Sequence, residues 1–187
     1  LNPDAALAAS ARAQLEAEIA REGLATAGWR EVPIDTTCCG EEALKTLPRF
    51  EQVFVNAPDG MGVDEFERHL LLARRRASRE LMDSDPAFYV VTLSSQTLGY
   101  KGLVMPAALP VFYPDLRDPR LEASICVFHQ RFSTNTTPQW RLAQPFRFIA
   151  HNGEINTIRG NRNWALARGY TFHSPLFDMQ DLRPMVN

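Results

Sequence analysis

The sequence predicts an α+β fold in which helices pack on antiparallel sheets, rather than a doubly wound one. Three observations carry this. Three segments have helical character, an Ala-rich stretch near the start, an amphipathic one from Val63 to Leu81 and one from Ile155 to Arg168. Short apolar runs rich in β-branched and aromatic residues read as strands. Strands and helices do not alternate regularly, so neighbouring strands pair antiparallel rather than through βαβ crossovers.

In chain order, Asn2-Pro3-Asp4 opens the first helix, with a capping side chain, a proline in the first turn and an acid at the positive helix end. The helix runs to about Arg21 and Gly23 stops it. Gly28 to Pro33 is a short strand entering a loop, and Phe50 to Val55 a second strand ended by Ala57-Pro58-Asp59-Gly60. From Val63 to Leu81, Val63, Phe66, Leu70, Ala73, Ala77 and Leu81 recur at steps of three and four. Arg74-Arg75-Arg76 then belongs to a solvated face. Ala87 to Leu93 reads as a strand. Leu98 to Leu103 carries glycines suited to a turn or a close backbone approach. Ala123 to Phe132 and Phe146 to Ala150 read as strands, and Ile155 to Arg168 as a helix exposing Arg159, Arg162 and Arg168, with Ile158, Trp164 and Leu166 available for packing.

Composition narrows the function classes. The 187 residues suit one domain or a large piece of one, and 45% hydrophobic residues supply a core. Lys+Arg number 20 against 22 Asp+Glu, so bulk charge gives no case for nucleic acid or an acidic membrane. No stretch approaches the roughly 20 apolar residues that span a bilayer, and no secretory signal is visible. The three cysteines, Cys38, Cys39 and Cys126, form no disulfide framework and no zinc-type spacing. A reducing, cytoplasmic setting is expected. Because the chain starts at Leu1 rather than Met, it is expected to be processed, cut or part of a longer protein.

Two polar segments follow apolar runs: His129-Gln130-Arg131-Phe132-Ser133-Thr134-Asn135-Thr136 and His151-Asn152-Gly153-Glu154-Ile155-Asn156-Thr157. Loops at strand ends are where rigid scaffolds present chemistry. Arg131, between Phe128 and Phe132, is expected to be partly buried, so it needs an anion or several carbonyls. Its planar fork fits a carboxylate, either a ligand's or that of a structural Asp or Glu. Asn152-Gly153 fits a type I′ turn. It also fits an oxyanion hole, in which an Asn amide and a backbone N–H converge on one oxygen and Gly lets it approach. A Cys126–His129 dyad is set aside because, on one strand three residues apart, the two side chains face opposite sides.

The stretch "HQRFSTNTTPQWRLAQPFRFIAHNGEINTIRGNRNW", together with "TLGYKGLVMPAALPVFYPDL" upstream, resembles the glutaminase domain of the glutamate synthase family. That domain is a class II glutamine amidotransferase with an N-terminal-nucleophile hydrolase fold, a four-layer αββα sandwich of antiparallel sheets. The resemblance implies that Arg131 holds the α-carboxylate of L-glutamine, that Phe132, Ser133 and Thr134 line the glutamine pocket, and that Asn152 and Gly153 form the oxyanion hole. It also implies a nucleophilic N-terminal cysteine and, for the amine, an acidic residue after Asn187. Residues 1–187 are accordingly expected to be an internal segment of a single amidotransferase domain, inactive alone. The released ammonia would aminate 2-oxoglutarate. The resemblance places no cofactor or metal in this segment, and FMN and an iron–sulfur cluster elsewhere. Expected partners are the remaining domains of the large subunit and a small electron-donating subunit, with no nucleic acid and no membrane. The alternative is a binding module that takes glutamine or another carboxylate without catalysis.

Overall fold

The structure, a computed structural model, describes residues 1–132, 137–143 and 158–185. It divides into two compact units, 1–150 and 151–187. In the first, helix α1 (Ala5–Arg21) precedes strand β1 (Ala25–Glu31), a short helix α2 (Glu41–Lys45), strand β2 (Glu51–Asn56), the long helix α3 (Val63–Leu81) and a short helix α4 (Leu109–Phe112).

The cap of α1 is Asp4 rather than Asn2: the Asp4 carboxylate accepts from the N–H groups of Ala6 and Leu7. Asn2 instead accepts from the Asp4 N–H through its Oδ1, and its amide donates to Asp85 at 2.9 Å. At the other end Gly23 has φ +73°, its N–H reaches Ala20 O and the Leu24 N–H reaches Ile19 O. These paired bonds close the helix, and Ile19 and Leu24 then pack in one cluster.

Strands β1 and β2 pair antiparallel, from Ala25 opposite Asn56 to Glu31 opposite Glu51. The register shifts between Thr26 and Gly28, leaving Ala27 as the extra residue of a bulge, and Gly28 takes φ +149° there. Alternation along β2 puts Val53 and Val55 on the face that meets the helices and leaves Phe54 exposed. That face, with Trp29, packs on Leu15 and Ile19 of α1 and Leu70, Ala73 and Ala77 of α3. Arg12 of α1 grips Glu51 of β2 through two hydrogen bonds.

Helix α3 has the expected bounds and stripe, with two differences. Val63 is exposed at the first turn. Arg76 is buried at 8% exposure and donates to Glu22, which also meets His69 Nδ1 at 2.7 Å. The arginine run is thus not wholly a solvated face, because one of its members ties α3 to the end of α1.

Residues 87–93 and 123–132 form no strand. The first run is consumed by packing: Phe88 joins Ala11 and Leu81, Leu93 joins the main cluster, and Val90 touches both. An apolar run of that length fits a buried coil as well as a strand. The second run is largely exposed, with Ile125 and Phe128 each at 81%. The expected strand at 146–150 lies outside the described residues. A second cluster gathers Val32, Phe112, Tyr113 and Trp140, with Phe50 edge-on to the last three at 5.5–5.7 Å. Gly99 and Gly102 do serve close approach, since a Cβ on them would lie 2.8 Å from Val91 Cγ1 and 2.9 Å from Leu109 Cδ1.

In the second unit, helix α5 spans Ile158–Ala167, and the expected first turn at 155–157 lies outside the described residues. Arg159, Arg162 and Arg168 are exposed as expected, but so are Ile158, Trp164 and Leu166.

Candidate functional site

Arg131 is exposed rather than partly buried, and its backbone N–H reaches His129 Nδ1 at 3.1 Å. Phe132 beside it is half-buried. The expected burial failed because Phe128 and its neighbours do not enter a sheet here. With no strand over 123–132, the alternation expected to set Cys126 and His129 on opposite faces is absent there. Ser133, Thr134, Asn152 and Gly153 lie outside the described residues.

The first unit holds a cavity of about 870 Å³ lined by β1, β2, residues 87–94 and 97–101, Tyr113, Asp115, Trp140 and Arg141. Neither Arg131 nor Phe132 lines it. Its chemistry comes from residues that composition and spacing did not single out. Lys101 is 7% exposed, and its ammonium lies 3.4 Å from the Tyr89 hydroxyl and from Arg141 O. It also sits 5.0 Å from the centre of the Tyr89 ring. Burial pushes the Lys101 amine down to about 8. The buried Tyr113 hydroxyl donates to Lys101 O at 2.6 Å, and burial holds that phenol well above its ordinary range. Arg30 donates to Asp115 at 2.6 Å and Tyr100 donates to the same carboxylate, which the Arg30 contact keeps below the usual carboxylate range.

The short 3₁₀ turn Trp140–Leu142 is fixed from two sides. The Trp140 indole donates to Ala43 O at 3.3 Å, and Lys101 reaches Arg141 O. The only sequence sign of this anchoring is an aromatic residue next to a turn. From it the chain enters residues 144–157, which carry Asn152 and Gly153. Among the described residues no group of three or more His, Cys, Asp or Glu side chains could hold a metal ion. No described helix is long and apolar enough to cross a membrane.

The chain belongs to the class-II glutamine amidotransferases, whose family model matches residues 1–187. Its curated relatives are more particular. It is 43% identical over 178 residues to the NADPH glutamate synthase large chain of Azospirillum brasilense, covering 94% of this chain and 12% of that one. It is 43% identical over 171 residues to the chloroplastic ferredoxin-dependent glutamate synthase 2 of Arabidopsis thaliana, covering 89% and 10%. With the NADPH glutamate synthase large chain of Bacillus subtilis it shares 41% over 177 residues, 93% and 12%. The chain thus spans about a tenth of the length of these relatives.

Proposed function

We propose that residues 1–187 form part of a glutamine amidotransferase domain that releases ammonia from L-glutamine within a glutamate synthase, for amination of 2-oxoglutarate. The observation that carries this is the family match over the whole chain, supported by Arg131 and the Asn152-Gly153 pair standing inside the same family-like stretch. In this reading the Arg131 fork pairs with the α-carboxylate of glutamine, and its exposure leaves the guanidinium open to a ligand. Phe132, Ser133 and Thr134 line the pocket. When a cysteine thiolate attacks the side-chain amide carbon, negative charge gathers on the carbonyl oxygen. The Asn152 amide and the Gly153 N–H donate to that oxygen, ammonia leaves, and water releases glutamate. The four-layer αββα sandwich is the architecture that this reading assigns to the complete domain. FMN and an iron–sulfur cluster are assigned to regions outside 1–187, and the setting to the cytoplasm. Association with a small electron-donating subunit belongs to the same proposal.

The test is ammonia release from glutamine by the native enzyme. Asn152→Ala should lower kcat by about 10²–10³, and Arg131→Lys should chiefly raise KM because the two-pronged geometry is lost. An unchanged rate in Asn152→Ala, in a variant that melts like the parent, sinks the proposal.

A further inference from the structure

The Cys38–Cys39 pair has no part in this chemistry, yet the fold presents it as a unit. Residues Thr36–Cys38 make one 3₁₀ turn. It is closed in front by the Asp35 carboxylate on the Thr37 N–H at 2.9 Å, and behind by the Cys39 N–H on Thr36 O at 3.0 Å. The Cys38 thiol rests 3.4 Å from Asp35 O and 3.9 Å from Ala108 O, and Cys39 follows it directly in the chain. Both side chains are half-buried, free, and packed beside the aromatic cluster. Two consecutive cysteines, one ending the turn and the other directly after it, are thus presented half-buried against the same cluster.

We propose that Cys38 and Cys39 form a chelating dithiol site for trivalent arsenic compounds. Two further facts select this ligand class. Among the described residues no third His, Cys, Asp or Glu joins the pair, so a four-ligand zinc site is not built. Trivalent arsenic takes two sulfurs and keeps its remaining substituent. In addition, burial, and then the neighbouring Cys38, push the Cys39 thiol up. Attack on oxidants needs a thiolate, so this disfavours attack by Cys39 itself. Arsenic capture is a condensation: the hydrated arsenoxide R–As(OH)₂ forms two As–S bonds and loses two As–OH groups. Each departing hydroxide takes one thiol proton as water, and arsenic stays trivalent.

Trypsin separates the two kinds of thiol, since Glu31–Lys45 carries Cys38 and Cys39 while Leu121–Arg131 carries the exposed Cys126. The native protein is treated with phenylarsine oxide, washed with a monothiol, alkylated with N-ethylmaleimide, and digested for mass spectrometry. We expect Glu31–Lys45 to escape alkylation at both cysteines while Leu121–Arg131 is alkylated, and a dithiol wash to restore both sites. Cys38→Ser and Cys39→Ser should each lose the protection while melting like the parent, and Cys126→Ser should keep it. Glu31–Lys45 alkylating as readily as Leu121–Arg131 after arsenoxide overturns the proposal. Failure of either cysteine to alkylate in untreated native protein does so too, because the pair would then be closed to any ligand.

Discussion

Lys101 shows how a single side chain can be prominent in the fold and silent in the sequence. Between Tyr100 and Gly102 it reads as part of a turn, and nothing in its neighbours announces burial. The fold places its amine beside Tyr89 and the Arg141 carbonyl, where burial lowers its affinity for a proton. The sign of the consequence follows. From about pH 8 the folded state releases this proton, whereas the unfolded chain holds it up to about 10.5. Stability contributed by this site therefore rises with pH across that window and reaches its low plateau below pH 8. Thermal melts from about pH 8 to about 9.5, below the range in which tyrosines titrate, should show this rise in the parent and a flatter profile in Lys101→Met. Parallel profiles would contradict it. Arg131 is the converse case: its sequence context promised burial, and the structure leaves it at the surface because the flanking aromatics are not drawn into a sheet.

Among the elements, those whose signals are local were legible. The apolar period and flanks of α3 were enough to set its bounds, and Gly23 marked the end of α1 because only the left-handed backbone closes that helix. The strands expected at 87–93 and 123–132 were not legible, because a short apolar run says that it will be buried and not by what. The Ala27 bulge depends on partners in β2 and has no local signal beyond Gly28. Two predictions belong at this scale. Gly99→Ala drives a methyl against the stiff, β-branched Val91 and should cost about 1–3 kcal/mol in urea unfolding. Arg76→Met removes the buried partner of Glu22 at the α1–α3 junction and should cost about 3–5 kcal/mol. A loss under 1 kcal/mol would mean that His69 alone keeps the Glu22 carboxylate satisfied.

At the scale of the whole molecule, the first unit is held by separate clusters. One lies between the sheet and α1 and α3, a second gathers aromatics from β2's approach, α4 and the Trp140 turn, and a small third joins Ala11, Leu81 and Phe88. The helix-on-sheet layer was readable from alternating and helical periods, but the aromatic cluster was not. Its members stand at positions 50, 112, 113 and 140, and no local pattern links them. The candidate site divides in the same way. Its residue types were visible as two polar segments, while the anchoring of the turn before the second depends on Ala43 and Lys101, far away in sequence. Phe112 is fully buried at the centre of the aromatics, so Phe112→Ala should cost about 3–5 kcal/mol and lower the melting temperature accordingly. Retention of parental stability would show that the cluster collapses around the gap.

The indole of Trp140 lies 5.5 Å from the Phe112 ring at a tilt of 33°, shielded from water, whereas Trp29 is half-buried and Trp164 is 69% exposed. Three tryptophans in three environments give the molecule a built-in optical gauge. Iodide should quench Trp164 first and Trp140 last. With the other two replaced by phenylalanine, the blue-edge emission and near-ultraviolet ellipticity of Trp140 would report on the turn that leads into the Asn152-Gly153 segment as glutamine is added, without any attached label.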